Sequence, residues 1–95
     1  MFYFARIFNK PIGSWDTSSV KDMSYMFLTA ENFNQDLSNW NVSNVTKMVG
    51  MLRGATSFNQ DLSSWAVSNV TDCRQFSDET TAWTLPKPNF TNCTE

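Results

Sequence analysis

The segment Phe33-Asn34-Gln35-Asp36-Leu37-Ser38-Asn39-Trp40-Asn41-Val42-Ser43-Asn44-Val45-Thr46 returns 25 residues later as Phe58-Asn59-Gln60-Asp61-Leu62-Ser63-Ser64-Trp65-Ala66-Val67-Ser68-Asn69-Val70-Thr71. A looser copy, Phe8-Asn9-Lys10-Pro11-Ile12-Gly13-Ser14-Trp15-Asp16-Thr17-Ser18-Ser19-Val20-Lys21, stands 25 residues earlier. A gapless period of this length is the signature of a stacked-repeat protein, because one such unit cannot bury its apolar face alone. The register divides the chain into a partial repeat over 1–7, full repeats over 8–32, 33–57 and 58–82, and a degenerate cap over 83–95. Met1, Phe2 and Ala5 fall on Met26, Phe27 and Ala30, so the chain reads as a piece of a longer repeat array that starts inside a repeat.

Within each repeat the apolar spacing changes. Trp40 and Val42 alternate with Asn41 and Ser43, which predicts a short strand. Val45, Met48, Met51, Leu52 and Ala55 are spaced by three and four, which predicts one face of a short helix. Ser18 or Ser19, Ser43 or Asn44, and Ser68 or Asn69 then stand at N-cap positions, with Asp22 and Asp72 completing capping boxes, and Gly54 ends its helix. The expected fold class is α/β: a short leucine-rich-repeat-like solenoid, with one short parallel strand and one short helix per repeat. Phe8, Phe33 and Phe58 are expected to form one aromatic column, and Trp15, Trp40 and Trp65 another. Trp83 takes the next Phe slot and Phe90 the next Trp slot; Leu85-Pro86-Lys87-Pro88 between them is extended.

The motif from Phe33 to Thr46, followed by Met48, Met51, Leu52, Gly54 and Ala55, resembles the BspA-type repeat of bacterial and protist surface proteins, also called the mycoplasma-lipoprotein repeat. The resemblance spans nearly the whole chain. It implies a solenoid of leucine-rich-repeat type and a role at cell surfaces, some members being linked to adhesion. It supplies no catalytic residues. Pro11 and Gly13 in the first repeat and Cys73 in the Met slot of the third depart from the pattern.

Composition narrows the chemistry. The chain has no His, 7 basic and 9 acidic residues and a net charge of −2, so neither a basic nucleic-acid surface nor a neutral imidazole base is available. Zinc sites need more Cys and His than are present. Paired carboxylates come only from Asp36 with Asp61 in neighbouring repeats, or from Asp16, Asp22, Asp72, Asp78 and Glu79. The chain is therefore read as non-enzymatic and without a cofactor. Asp36 and Asp61 are the calcium candidates, as oxygen ligands repeating down a stack; the competing reading is an Asn/Gln hydrogen-bond ladder with turn-forming Asp.

Cys73 lies on an inward slot and Cys93 in the broken fourth repeat. Two buried thiols is one reading; a disulfide that staples the cap is the favoured one, since small secreted domains supplement thin cores this way. Asn89 and Asn92 open sequons in the cap, outside the repeat consensus, and are glycosylation candidates if the source is a eukaryote; unmodified turn chemistry competes. Asn39, Asn41, Ser64 and Ala66 form a candidate interaction face on the expected strands, or a solvated one. No segment suits a membrane span, and the apolar start, Met1 to Phe8, is too short and wrongly charged for a signal sequence. Together these features predict a protein-interaction or structural module of a larger surface or assembly protein, extracellular or otherwise non-cytosolic, with protein partners. The alternative is a calcium- or carbohydrate-binding surface domain.

Overall fold

Backbone amides decide how this chain folds. In a computed structural model, which describes residues 7–95, the N–H groups of Met23, Tyr25, Phe27 and Thr29 donate to the carbonyls of Lys47, Val49, Met51 and Arg53 at 2.8–2.9 Å. One repeat on, Met48, Gly50, Leu52 and Gly54 donate to Asp72, Arg74, Phe76 and Asp78 at 2.8–3.0 Å. Every second amide is thus bonded to the next copy of the repeat. Between these rungs, Met26, Leu28 and Ala30 donate back three residues to Met23, Tyr25 and Phe27. The result is a pile of coils, each closed by consecutive tight turns and bonded edge to edge. We call them coil 1 (8–32), coil 2 (33–57) and coil 3 (58–82). The alignment of Met1, Phe2 and Ala5, and the partial repeat over 1–7 apart from Ile7, lie outside the described residues.

This architecture corrects the expected α/β class. Among the described residues there is no α-helix, and extended pairing is limited to the isolated parallel bridges Asp22 with Lys47 and Lys47 with Asp72. The fold is neither α/β nor a leucine-rich-repeat solenoid of strands and helices. The expected strand at Trp40 to Val42 is absent, and the bridges occur at the Lys47 slot instead. The expected helix over Val45 to Ala55 is a series of turns. A helix needs each N–H for the carbonyl four residues back, but here alternate amides leave the coil entirely.

The dihedral angles explain why the chain does not coil locally. Tyr25 and Thr29, Gly50 and Gly54, and Gln75 and Glu79 all have positive φ, between 58° and 75°. A left-handed residue at every fourth position reverses the local winding before a second helical turn can form. The spacing of three and four still works, because successive i to i+3 turns also bring every third or fourth side chain inward. Val45, Met48, Met51, Leu52 and Ala55 are all fully buried. An isolated helix of about three turns is marginal in water, so the inter-coil bonds and the packed interior decide the outcome. Gly54 is not a helix cap; it is one of these reversing residues, and its N–H bonds to coil 3. Nor are there capping boxes: Asp22 and Asp72 accept from the backbone N–H of Ser24 and Arg74 in local turns.

The interior is aromatic. Phe8, Phe33 and Phe58 stack at 5.7 and 5.9 Å between centroids, and Phe27 stacks on Phe33 at 4.2 Å. Each buried Phe contributes roughly 1.5–3 kcal/mol through apolar area alone. The Trp column is broken. Trp40 and Trp65 are buried, and their indole N–H groups donate to Ile12 and Leu37 carbonyls 28 residues earlier, at 3.0 and 2.9 Å. Trp15, expected in the same column, is 48 % exposed. Trp40 and Trp65 each lean on the coil before their own. Thr17, in the Val42 slot, is buried with its hydroxyl donating to the Asn41 carbonyl, so the polar atom is satisfied.

Residues 83–95 cover coil 3. Trp83 meets Phe58 edge-on at 4.8 Å, and Phe90 meets Phe76 edge-on at 5.1 Å. The Pro86 carbonyl accepts from Leu62 N–H at 2.9 Å, which fixes the extended proline segment. Cys73 and Cys93 are joined by a disulfide, with Cα atoms 5.9 Å apart. Glu95 accepts hydrogen bonds from the Ser77 backbone N–H and hydroxyl. Its carboxylate therefore serves a Ser77 amide that corresponds by register to Leu52, whose own N–H bonds to coil 3.

Candidate functional site

The Asn/Gln/Asp columns are where the sequence placed its sharpest binding signal, and the structure assigns each residue a task. Asn9 Oδ1 accepts from Asn34 N–H and Gln35 Nε2 at 3.0 and 2.8 Å; Asn34 Oδ1 accepts from Asn59 N–H and Gln60 Nε2 at 2.8 and 2.9 Å. Asn59 Oδ1 closes the ladder on Thr84 and Leu85 N–H. A second ladder runs through Asn44, Asn69 and Asn92, whose amides donate to Ser18, Ser43 and Ser68 carbonyls. Asp36 Oδ1 accepts from Ser38 N–H; Asp61 Oδ1 accepts from both the N–H and the hydroxyl of Ser63. These are Asx turns, in which a short polar side chain bonds its own backbone two residues on. The Asn/Gln ladder with turn-forming Asp thus accounts for the columns. Among the described residues no group of three or more His, Cys, Asp or Glu could hold a metal ion.

Hydrogen bonds from Ser38 and Ser63 hold the Asp36 and Asp61 carboxyls below their ordinary range. Ser18 does the same for Asp16, and Arg74 for Asp72. A donor to the charged form favours ionisation, so these groups are fixed anions at neutral pH, suited to electrostatic recognition and unsuited to acting as general acids.

Two clefts bring separate coils together. The first, of about 290 Å³, is lined by Asp36, Ser38, Gln60, Asp61, Ser64 and Leu85 among its residues. Both calcium candidates and one residue of the expected interaction face therefore share a surface. Asn39, Asn41 and Ala66 are also exposed but do not line it. With no strand present they form no strand face, and Asn41 Oδ1 is engaged by the N–H and hydroxyl of Ser43. Asn89 and Asn92 are both exposed; the Asn92 amide nitrogen, the atom a glycan would use, donates to Ser68.

The second cleft, of about 320 Å³, is lined by Tyr25, Val49, Arg74, Gln75 and Glu95. Sequence reading passed over these residues. A signal was present: Tyr25 stands where the next repeat has Gly50, and Arg74 where the preceding repeats have Ser24 and Val49.

A family profile described as Mycoplasma protein of unknown function, DUF285, matches residues 1–90. The chain belongs to that family. Membership agrees with the resemblance at the level of a mycoplasma repeat family, while the leucine-rich-repeat build is replaced by the coil stack above. No curated protein and no solved structure matches the chain. No helix among the described residues is long and apolar enough to cross a membrane.

Proposed function

We propose that the chain is a non-catalytic protein-interaction module of a larger surface or assembly protein, working outside the cytosol. The observation that carries this reading is the first cleft. Asp36 and Asp61 stand in successive coils as fixed anions, beside Ser64 and the half-exposed Leu85. A rigid row of carboxylates beside an apolar side chain suits a protein surface that carries Lys or Arg around an apolar anchor. The Cys73–Cys93 disulfide supports an oxidising location, and the surface-repeat resemblance supports adhesion or packing within an assembly.

Binding of the full chain to cell envelope from its source, before and after protease treatment, tests the reading. Saturable binding that is lost after protease, and weakened in both Asp61→Lys and Ser64→Arg, is the expected result. Binding that survives protease, or that neither variant changes, overturns it.

A further inference from the structure

We propose that the second cleft is a subsite for a neutral pyranose, with the Tyr25 ring as its stacking platform. Tyr25 has φ +61°, in a slot that the next coil fills with Gly50 at φ +58°. Gly is the residue that takes this conformation at no steric cost; the coil stack imposes it on Tyr25 as it does on Gln75 in coil 3, so the Tyr25 side chain leaves the backbone at a fixed point of the coil. The ring is also positioned. A Cβ on Gly50 would stand 3.1 Å from Tyr25 Cδ1 and Cε1, so the bare glycine is the seat on which the ring rests. Despite that support Tyr25 remains 46 % exposed, among the highest values for a large apolar side chain in the described residues.

What surrounds the ring suits hydroxyl groups. Arg74 donates from Nε and Nη2 to the two oxygens of Asp72, at 2.9 and 3.0 Å. A guanidinium has five N–H donors in a fixed fork, so three lie beyond that pair. On the same rim Gln75 offers its amide Nε2, its Oε1 accepting from Arg53 Nη1 at 3.4 Å, and Glu95 offers Oε2, its Oε1 being held by Ser77. An aromatic face with its negative quadrupole attracts the C–H face of a sugar ring, while paired donors and acceptors fix the hydroxyls. The charges choose the class. Arg74 is paired with Asp72, on which Lys47 also acts, Arg53 is paired with Glu79, and Glu95 adds a negative charge, so the rim carries no surplus of positive charge for an acidic sugar. The cavity, about 320 Å³, lies at the lower end of the small-ligand range of about 300–1,000 Å³, which fits one residue of a glycan. No residue is shared with the first cleft, so this inference stands apart from the protein-docking reading.

The test is nuclear magnetic resonance titration of the isotope-labelled full chain with the methyl glycosides of glucose, galactose and mannose, and with glucuronic acid. A neutral glycoside is expected to saturate in the millimolar range, shifting Tyr25, Gly50, Arg74 and Gln75, and to bind more tightly than glucuronic acid. In Tyr25→Gly that affinity should fall roughly tenfold. The variant places glycine in a slot where coil 2 already has it, so it should melt no lower than the parent, which separates lost binding from lost fold. Gln75→Gly, in the same slot of coil 3, should weaken binding as well. No saturable shift with any neutral glycoside, tighter binding of glucuronic acid, or unchanged affinity in Tyr25→Gly overturns the proposal.

Discussion

The indole N–H of Trp65 donates to the carbonyl of Leu37 at 2.9 Å, across the boundary between coils 3 and 2. Both residues are buried, Leu37 fully. The side chain thus performs for one carbonyl what the backbone ladder performs for others, and Trp40 repeats the arrangement one coil earlier on Ile12. Trp65→Phe keeps most of the apolar area but leaves the Leu37 carbonyl without its indole donor. It should lower stability by about 1–3 kcal/mol, measured as a shift of the urea midpoint at unchanged slope.

Gly50 separates the coil stack from the helical alternative by the sign of a single substitution. In a helix interior, Gly→Ala stabilises by about 1 kcal/mol. Here Gly50 has φ +58°, and a Cβ added to it would stand 3.1 Å from the Tyr25 ring, so Gly50→Ala should destabilise by about 1–2 kcal/mol. Thermal melting followed by circular dichroism decides it; a rise in Tm would contradict the fold.

The Cys73–Cys93 bond closes a loop with a sequence separation of 20, worth about 3 kcal/mol in the chain-entropy account. Cys73→Ala with Cys93→Ala should therefore lower Tm under oxidising conditions and change it little once the parent is reduced. Hydrogen exchange should then show residues 83–95 opening first, since Glu95 and Asn92 still tether them but the covalent link is gone. Two titratable thiols in the unfolded, unreduced native protein would refute the bond.

Acid should weaken the fold in a defined direction. The carboxyls of Asp16, Asp36, Asp61 and Asp72 lie below their ordinary value of 3.8 in the folded chain, chiefly through hydrogen bonds from Ser18, Ser38, Ser63 and Arg74. A folded pKa below the unfolded one gives stability that is complete above the unfolded value and lost as pH falls through the folded value. Tm should be flat from neutral pH down to about pH 5 and fall below it. Asp36→Asn with Asp61→Asn keeps the Oδ1 acceptors of the turns but removes the titration, so the acid limb should become shallower. An unchanged limb would show that these carboxyls do not contribute to it.

The period and the inward slots were legible in the chain alone. Phe8, Phe33 and Phe58 stack because a gapless repeat brings equivalent positions into register whatever the local backbone does, and Cys73 reaches Cys93 because the cap folds back over coil 3. The Asn ladder was legible too, as one of two readings of the Asn34 and Asn59 columns. What sequence could not settle was the partner of each amide. The spacing of Val45, Met48, Met51, Leu52 and Ala55 satisfies both a helix and a row of tight turns. The choice lies in whether Gly50 N–H bonds within its own coil or to Arg74 in the next one, and that depends on contacts with a distant part of the chain. Gly50 and Gly54, four residues apart, were the local hint, but Tyr25 and Thr29 hold the same conformation without being glycine, because the neighbouring coil imposes it. The second cleft depended on tertiary structure for the same reason: only stacking sets Tyr25 of coil 1 against Arg74 of coil 3 and Glu95 of the cap.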